Sequence, residues 1–402
     1  MKRVAITGIG IISCIGNSKE EVAESLRAGR SGIELVPERK ELGFHSCLAG
    51  TIKGFEPPEL PKKEARQMGD GALWAVAAAR QAIGDAGLGE ELIRHNRAAV
   101  IIGNSGNMRD VHRNCRLMES GVKLSGTALP RTMASSISAN LSVLLGIRGH
   151  SMTVAAACAS GAVAIGHAAQ LIRFGLQDRA VCGAVQEGSW EYDCNFDALR
   201  VFSKREDCPA EASRPFDKDR DGLVPSAGAA IVVLEEYEQA VARGAAVYAE
   251  LIGYATNCDG HKMTTPSGVG GAECMRMALA DAGLGPGRID YVNAHATATP
   301  IGDVQEAQGI AEVFAEGPLV SSTKSMTGHE IGAAGATELI YTLLMMQHGF
   351  IAPNINIGEI DDECRGIKLV ANEAIEARIG TALSNSFGFG GVNASLIVRR
   401  PA

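Results

Sequence analysis

A succession of strand-like and helix-like segments occurs twice along the chain, and this repetition constrains the fold more than any other feature. The helical segments Ala72–Gly89 and Gly271–Gly285 both end in Asp-Ala-Gly-Leu-Gly, and the short strands Ala99–Ile102 and Ile289–Val292 follow them. Glycine within the shared five residues suits the left-handed conformation that ends a helix. A repeat of this length predicts a duplicated α/β unit with helix-covered sheets.

The later segments of the two copies correspond as well. A strand, a sharp turn and a long helix are predicted around Thr153–Gly175 and again around Leu319–Gly349. Each copy then closes on a pair of strands, Arg179–Val185 with Ala229–Glu235 and Thr381–Ser386 with Ala394–Arg399. We predict a boundary near Arg243, so that residues 1–245 and 246–402 form halves related by a pseudo-twofold axis. A site shared by the two halves would lie where they meet.

Composition and charge exclude several classes of function. The 402 residues carry a net charge of -8, which argues against nucleic acid or an anionic membrane as the main partner. The most apolar stretch, Met152–Ile172, is mostly alanine and glycine and contains a histidine and a glutamine. We therefore expect a buried segment there rather than a membrane span. The chain begins in the strand-like run Met1–Gly8, and no signal peptide is expected.

The cysteines and histidines show no metal-binding pattern. The ten cysteines include neither a C-x-x-C pair nor a regular spacing, so the sequence predicts no zinc site and no disulfide framework. This usage favours a reducing cytoplasm. The nine histidines include no H-E-x-x-H motif, and no metal is required.

Cys158 is the candidate nucleophile. It lies in Ala-Ala-Ala-Cys-Ala-Ser-Gly, between the apolar strand Met152–Ala157 and a helical segment that starts at Ser160. A cysteine on such a turn faces the amides at the start of the helix, which favour the thiolate and a nucleophilic role. Small neighbours would let a backbone amide face an oxyanion. Taken alone, the residue also fits a buried packing cysteine.

Two histidines and a lysine lie in turns rich in small residues. His295 ends a predicted strand and enters a Thr-Ala-Thr-Pro turn, and His329 follows Thr-Gly at the start of a helix. Two neutral imidazoles that donate N–H groups could stabilise an enolate where water is excluded. Lys324 lies in the Ser- and Thr-rich turn before His329 and is expected to be buried, with Glu306 as its predicted counter-charge. Each histidine alone also fits a structural role.

The glycine-rich segment Phe387–Gly391 is the last candidate element of the site. Its glycines allow backbone amides to approach a ligand and allow the ring of Phe389 to swing. A plain hairpin turn is the alternative, and the two phenylalanines that flank Gly388 make it less suitable.

Together these segments resemble the β-ketoacyl-[acyl-carrier-protein] synthases, the condensing enzymes of the thiolase fold. The similarity runs from Val4–Gly10 through Arg214–Gly222 to Ile397, and the second half most resembles the bacterial type II elongating synthase of the first subclass. The residues at the family's Cys-His-Lys-His positions are Cys158, His295, Lys324 and His329. The resemblance implies an α/β fold of the duplicated, five-layered αβαβα thiolase-like type.

The resemblance also implies an acyltransferase that needs no cofactor, because decarboxylation drives carbon–carbon bond formation. Cys158 would take an acyl group from a carrier thioester in fatty-acid elongation. Malonyl thioester would then bind with its carbonyl between His295 and His329. Loss of CO2 would give an enolate that attacks the acyl group and yields 3-oxoacyl carrier, CO2 and free carrier.

Further roles follow from the same resemblance. The amides of Cys158 and Phe389 would bind the oxyanion, and Phe389 would also gate the entry of the acyl chain. Lys324, paired with Glu306, would set the electrostatics of the pocket. The residues expected to line or gate the substrate channel are Phe387, Gly388, Thr297 and Thr299.

The implied partners are an acyl carrier protein and a second copy of the chain. Since the carrier is acidic and this chain is acidic as well, docking requires a local basic patch. The resemblance places the contact between two copies on the strand Ala180–Val185. The residues of the predicted patch are Lys62, Lys63, Arg66, Lys123 and Arg131. The alternative is that these residues only form a charged surface exposed to solvent.

Several departures from the family pattern leave the substrate open. Ala296 and Ala298 stand where the family commonly has glycine and serine, Ala156–Ala157 where a hydroxyl residue often precedes Ala-Cys, and Cys14 where proline is frequent. Chain length and unsaturation are therefore not predicted, and a specialised ketosynthase of a type II polyketide or polyene pathway is the alternative. A thiolase would need a second catalytic cysteine near the C-terminus, and a non-catalytic chain-length subunit usually lacks the nucleophile.

Overall fold

Strands and helices alternate along the whole of the computed structural model, which describes residues 1–104, 106–315 and 317–401. The strands are β1 (Val4–Ser13), β2 (Ile33–Leu35), β3 (Leu48–Gly50), β4 (Ala98–Asn104), β5 (Ser151–Val154), β6 (Arg179–Gln186), β7 (Gly228–Glu236), β8 (Ala249–Cys258), β9 (Tyr291–Asn293), β10 (Leu319–Ser321), β11 (Phe350–Ile351), β12 (Lys368–Leu369), β13 (Ile375–Glu376), β14 (Thr381–Gly388) and β15 (Val392–Arg399). The helices are α1 (Lys19–Arg27), α2 (Glu38–Glu41), α3 (Lys62–Ala65), α4 (Asp70–Asp85), α5 (Glu90–Ile93), α6 (Met108–Glu119), α7 (Ala128–Thr132), α8 (Ser136–Leu145), α9 (Ser160–Arg173), α10 (Trp190–Ala198), α11 (Tyr237–Ala242), α12 (Gly270–Ala282), α13 (Pro300–Val313), α14 (Lys324–Thr327) and α15 (Ala334–His348).

The strand order is symmetric about the middle of the large sheet. From edge to edge it reads β12-β10-β9-β14-β15-β8-β1-β7-β6-β4-β5. The first strands of the two copies, β1 and β8, pair antiparallel at the centre through Ala5 with Glu250 and Ile6 with Ala249. On either side the next two strands are antiparallel neighbours and the outer ones are parallel, in the order β7-β6-β4-β5 and β15-β14-β9-β10. The predicted duplication is therefore confirmed.

Helices cover both faces of each half of the sheet, because successive strand residues point to opposite sides. Val100 on β4 packs into a core with α4 and α8, whereas its neighbour Ile101 packs against α9. In the second half Val292 faces α12 and α13, and Tyr291 faces the core that contains α15. The layers are thus α4 with α8, half-sheet, α9 with α15, half-sheet, and α12 with α13. This arrangement confirms the five-layered α/β fold.

The repeated Asp-Ala-Gly-Leu-Gly segments end their helices as predicted. Gly87 follows α4 with φ of +61°, and Gly283 follows α12 with φ of +64°. These left-handed positions are the ones that favour glycine over residues with a Cβ. The boundary predicted near residue 245 stays a prediction, and it falls in the link between α11 and β8.

The predicted contact between two copies on the strand Ala180–Val185 is wrong. This strand is β6, and both of its edges are already hydrogen-bonded, to β7 on one side and to β4 on the other. The free edge at this end of the sheet belongs to β5, where the side chain of Met152 is 37% exposed. Sequence alone does not give strand order, because pairing depends on distant segments.

No helix in the described part of the chain has both the length and the apolar character that crossing a membrane requires.

Candidate active site

Cys158 lies on a tight turn between β5 and α9, and it is 6% exposed. The hydroxyl of Ser160 holds this turn, since it accepts the N–H of Ala156 at 2.9 Å and donates to the carbonyl of Ala157 at 2.6 Å. Ala157 has φ of +47°, a left-handed conformation that a Cβ makes unfavourable. Such strain, of order 1–3 kcal/mol, persists where the surrounding structure fixes the backbone. The turn therefore holds the sulfur in one place.

Two histidines from the second half reach this sulfur. His295 follows β9, and His329 follows α14 after Gly328, whose φ is +69°. One atom from each of the three side chains, the sulfur of Cys158 and a ring nitrogen of each histidine, lies within 4.8 Å of the other two. The imidazole centroids are 5.2 Å apart, with the rings at 85° to one another. The fold thus brings the candidate nucleophile and both imidazoles together at the junction of the halves.

Burial keeps both imidazoles neutral. His295 is 9% exposed and His329 is 2% exposed. Burial, together with the nearby charge of Lys324, lowers the pKa of both rings well below 6.5. Nδ1 of His295 and both ring nitrogens of His329 have no protein hydrogen-bond partner among the described residues. A thiolate and two imidazoles could also ligate a zinc ion, but the metal would occupy the sulfur that an acyl group needs.

Opposing influences act on the thiol of Cys158. Burial raises its pKa to about 11, although Lys324 and the backbone N–H groups of Phe389 and Cys158 oppose that effect. These N–H groups act in the direction that the sequence predicts, whereas burial acts against them, and the thiolate stays a prediction. Attack on a thioester requires that a neighbouring base accept the proton, and the two neutral imidazoles are within reach.

The predicted pairing of Lys324 with Glu306 is also wrong. Lys324 is fully buried, and its Nζ forms an ion pair with Oε1 of Glu338 on α15. Burial raises the pKa of the Glu338 carboxyl to about 8, while the charge of Lys324 lowers it. A buried cation requires such a partner, since an unpaired charge is strongly unfavourable away from water. Only a short segment separates α14 from α15, the helix that carries Glu338.

Glu306 holds the histidine turn instead. Its Oε1 accepts the backbone N–H of His295 at 2.9 Å and the side-chain amide of Asn385 at 3.0 Å, and its Oε2 accepts the N–H of Ala296 at 2.6 Å. The next residue but one, Ala298, has φ of +66°. The carboxylate therefore fixes the backbone that carries His295, although burial raises its pKa.

The glycine-rich segment covers the sulfur from the other side. A Cβ at Gly388 would lie 3.2 Å from the backbone nitrogen of Cys158 and 3.0 Å from the carbonyl oxygen of Ala156, closer than an ordinary contact, so glycine favours this approach. The ring of Phe387 lies 5.9 Å from that of His295, and the ring of Phe389 stacks on Phe196 at 5.7 Å. The backbone N–H groups of Phe389 and Cys158 both face the sulfur.

A cavity of about 440 Å³ leads from Cys158 to the surface. The wall nearest α13 carries Thr297 and Thr299, whose hydroxyl oxygens are 3.2 Å apart. Apolar side chains such as Met263 and Ile301 form much of the remaining wall. An elongated channel of this kind, with a few polar groups along an apolar wall, suits a flexible substrate arm that ends at the sulfur.

The thiol, the paired imidazoles and the two amides are the chemical groups that acyl transfer and the stabilisation of a negative charge require. The protein-family model described as "Beta-ketoacyl synthase, N-terminal domain" matches residues 1–240 of the chain. The family model described as "Beta-ketoacyl synthase, C-terminal domain" matches residues 248–358. The chain belongs to the β-ketoacyl synthase family.

Curated relatives are similar to this β-ketoacyl synthase over its full length. The chain is 47% identical to 3-oxoacyl-[acyl-carrier-protein] synthase 1 of Haemophilus influenzae, covering 100% of this chain and 99% of that protein. It is 44% identical to the synthase 1 of Escherichia coli, with the same coverage. The resemblance identified from the sequence is therefore confirmed.

Solved structures agree with this assignment. A β-ketoacyl synthase from Burkholderia phymatum is 39% identical with a TM-score of 0.96, and the ishigamide ketosynthase/chain length factor is 35% identical with a TM-score of 0.93. A type II polyketide ketosynthase in complex with its acyl carrier protein is 29% identical with a TM-score of 0.88. Each match covers 100% of both chains.

Sequence analysis missed several residues of this β-ketoacyl synthase site. Glu338 is the single acidic residue of the largely apolar helix α15, which marks it as unusual, but nothing in the sequence pairs it with Lys324. Arg200 and Lys262 are exposed and line the mouth of the cavity, where they could meet an anionic group. Their segments contain no motif, and only the convergence of the two halves places them together.

The residues of the predicted docking patch lie on the surface. Lys62 and Lys63 are exposed on α3, and Arg66 is exposed directly after it. Lys123 is exposed in the segment that follows α6. Arg131 differs from the others, because its guanidinium pairs with Asp110 at 2.7 Å.

Proposed function

We propose that this chain is a 3-oxoacyl-[acyl-carrier-protein] synthase that extends fatty acyl chains by decarboxylative condensation. The observation that carries the proposal is the meeting of the Cys158 sulfur with the neutral rings of His295 and His329 within 4.8 Å. The curated relatives at 47% and 44% identity bear this name, which favours the same reaction here.

In the first step the sulfur of Cys158 attacks an acyl-carrier thioester. The thiol loses its proton to a neighbouring imidazole, the new sulfur–acyl bond forms, and the carrier leaves as a free thiol after it takes up a proton. The tetrahedral oxyanion is bound by the backbone N–H groups of Cys158 and Phe389, which already face the sulfur. We infer that Phe389 must turn away from Phe196 to admit a long chain.

In the second step malonyl thioester binds with its carbonyl oxygen between His295 and His329. Each neutral ring can donate one N–H bond to that oxygen. The bond to the carboxylate breaks, CO2 leaves, and the resulting enolate attacks the acyl carbon on Cys158. The 3-oxoacyl carrier forms as the cysteine sulfur departs and is protonated. Burial and the positive charge of Lys324, which pairs with Glu338, lower the pKa of both rings, so that they remain donors of a single N–H.

An assay of the purified chain with acyl-carrier and malonyl-carrier thioesters tests this proposal. We expect one equivalent of CO2 for each 3-oxoacyl carrier, with the product two carbons longer than the primer by mass spectrometry. A type II polyketide or polyene ketosynthase would instead favour unreduced oligoketide or polyunsaturated primers. Release of CO2 with no lengthened product would contradict the condensing function.

We also propose that an acidic acyl carrier protein docks on the exposed basic residues of α3. Reversing two charges with Lys63→Glu and Arg66→Glu should raise the KM for carrier substrates about tenfold at low salt, because opposed charges are lost. The effect should shrink at high salt, since surface charges are screened. The matched control Lys40→Glu with Arg288→Glu makes the same charge change on exposed residues elsewhere. Equal KM values for the two double variants would show that the carrier does not dock on α3.

A second copy of the chain is the proposed partner of the free edge of β5. An unpaired edge strand is a ready site for pairing with another strand. Leu129 on α7 and Val143 on α8 lie on helices that contact one another beside β5, and they are 69% and 77% exposed. We expect Leu129→Glu with Val143→Glu to convert a dimer into a monomer in analytical ultracentrifugation. Val241→Glu, at a residue 53% exposed on α11, is the control. If the double variant is still a dimer, the contact between the two copies does not involve Leu129 and Val143.

We place the reaction in the cytoplasm, because all ten cysteines are free thiols in the structure. Such usage suits a reducing compartment.

A further inference from the structure

The segment of residues 213–226 belongs to the first copy of the repeated unit, but it hydrogen-bonds to the turns of the second copy that carry the active-site residues. The hydroxyl of Ser213 donates to the carbonyl of Lys324 at 2.7 Å. The N–H of Ser226 donates to the carbonyl of His329 at 2.9 Å. The two ends of the segment thus reach two of the three turns, although the proposed reaction uses none of its side chains.

The third turn, residues 295–300, is held at its end by the middle of the same segment. The guanidinium of Arg220 donates from Nε to the carbonyl of Thr299 at 3.2 Å and from Nη2 to the carbonyl of Pro300 at 2.7 Å. The side chain is 3% exposed, and its Nη1 forms an ion pair with Asp361 at 2.7 Å. The planar fork of an arginine serves several acceptors in fixed directions at once, which a single lysine ammonium does not.

A buried carboxyl group holds the N–H side of the same turn. Asp303 accepts the N–H of Thr299 at 3.2 Å on Oδ1 and the N–H of Phe216 at 2.9 Å on Oδ2, and Oδ2 lies 3.7 Å from Nε of Arg220. Phe216 has φ of +66°, a left-handed conformation that a Cβ makes unfavourable. Strain of this kind persists where the surroundings fix the backbone, and it is concentrated at functional sites. Arg220 and Asp303 therefore fix the end of the turn together.

The start of the turn is fixed from the same helix. Glu306, which follows Asp303 by three residues on α13, accepts the backbone N–H groups of His295 and Ala296. Between the two fixed ends, Ala298 has φ of +66°. A turn that is held at both ends keeps the ring of His295 in one direction. A turn that is held only at its start does not.

We propose that Arg220 is a positioning residue for malonyl decarboxylation, because it anchors the end of the turn that directs the ring of His295 toward the sulfur of Cys158. The inference rests on the proposed function, since it assumes that His295 binds the enolate oxygen. Arg220 does not touch the reacting atoms. Among the described residues it makes no hydrogen bond to the turn of His329, so its effect should pass through His295 alone.

Arg220→Lys tests the anchor and keeps the positive charge beside the two acidic side chains. One ammonium group does not hold both carbonyls of the turn in the geometry of the fork. We expect release of CO2 from malonyl thioester to slow roughly ten- to a hundredfold, as for a small misplacement of a catalytic group. Arg173→Lys is the matched control. Arg173 is 11% exposed, pairs with Asp281 at 2.6 Å and donates to the carbonyl of Leu251, but it lies away from the site.

Combination with the two histidine variants separates positioning from a general loss of structure. In the His295→Ala background, Arg220→Lys should cause no further loss of decarboxylation, because the ring that it positions is absent. In the His329→Ala background it should lower the rate by the same factor as in the unaltered chain. An equal loss in both backgrounds would overturn the proposal, and so would a rate for Arg220→Lys equal to that of Arg173→Lys.

Asp361→Asn reaches the same network with a smaller change and serves as the test if Arg220→Lys does not fold. The Asp361 side chain is 22% exposed, and asparagine keeps an oxygen that can accept from Arg220 without the charge. We expect a loss of roughly two- to fivefold, again absent in the His295→Ala background. No loss, or the same loss in that background, would count against Arg220. If the unaltered chain released no CO2 from malonyl thioester, the proposed function would fail instead, and the two failures are distinct.

Discussion

Changing Cys158 to alanine should lower the rate of condensation on the order of 10⁴-fold or more, as expected when a catalytic nucleophile is removed. No other thiol can replace it in the channel, since among the described residues Cys158 is the one cysteine that lines the cavity. The acyl-enzyme cannot form, so the step that positions the acyl carbon is lost. Intact-protein mass spectrometry after incubation with acyl-carrier thioester measures this directly, as the absence of the acyl adduct.

The same variant should keep its ability to decarboxylate malonyl thioester. His295 and His329 are untouched, and alanine leaves more space beside them. Cys115→Ala is the control, because Cys115 is an exposed thiol on α6 that could trap acyl groups without specificity. Condensation by the Cys158→Ala variant at a normal rate would remove the basis of the proposed function.

Changing His329 to alanine should slow malonyl decarboxylation by roughly 10²–10³-fold, the loss typical for one donor of an oxyanion hole. The ring is 2% exposed and both of its nitrogens lack protein partners, so its N–H is free to bind the enolate oxygen. His295→Ala should have a similar effect. Acyl transfer to Cys158 should be affected less than decarboxylation, because the backbone N–H groups of Cys158 and Phe389 remain. Release of CO2 from malonyl thioester, measured without a primer, reports this step alone.

His167→Ala provides the control for the two histidine variants. His167 is exposed on α9, the helix that follows Cys158, and it should behave like the unaltered chain. The pH dependence is a second check. Because burial lowers the pKa of both active-site rings well below 6.5, decarboxylation should not fall as the pH is lowered from neutrality to 6.5. A decline centred on 6.5, or normal decarboxylation in both variants, would contradict the role of neutral imidazoles.

Much of the fold was accessible from the sequence because its signals are local. The alternation of strands and helices, the glycines after α4 and α12, and the turn at Cys158 depend on residues within a few positions of one another. The duplication followed from the repeated order of these elements. The strand order did not follow, because the contact between two copies was predicted on β6, whose edges pair with β4 and β7. Which strands pair is decided by segments that lie far apart in the chain.

The site shows the same division. The residue types around Cys158, His295, Lys324 and His329 indicated thioester chemistry, because only a few side chains can act as nucleophile or hydrogen-bond donor to an enolate. The partner of Lys324 was predicted incorrectly, since a buried ion pair is chosen by proximity in space and not by spacing along the chain. The burial of Cys158, which raises the pKa of its thiol against the effect of the backbone N–H groups, is likewise visible only in the tertiary structure.

The sequence by itself determined the chemical groups, the repeated α/β pattern and the family, since each is encoded by residue identity over short distances. Only the tertiary structure decided that Glu338 pairs with Lys324, that β5 is a free edge, and that the Cys158 sulfur meets both imidazoles. These features depend on how two separately encoded halves meet. Burial and pairing at that junction set the charge of each group, and neither can be read from one half alone.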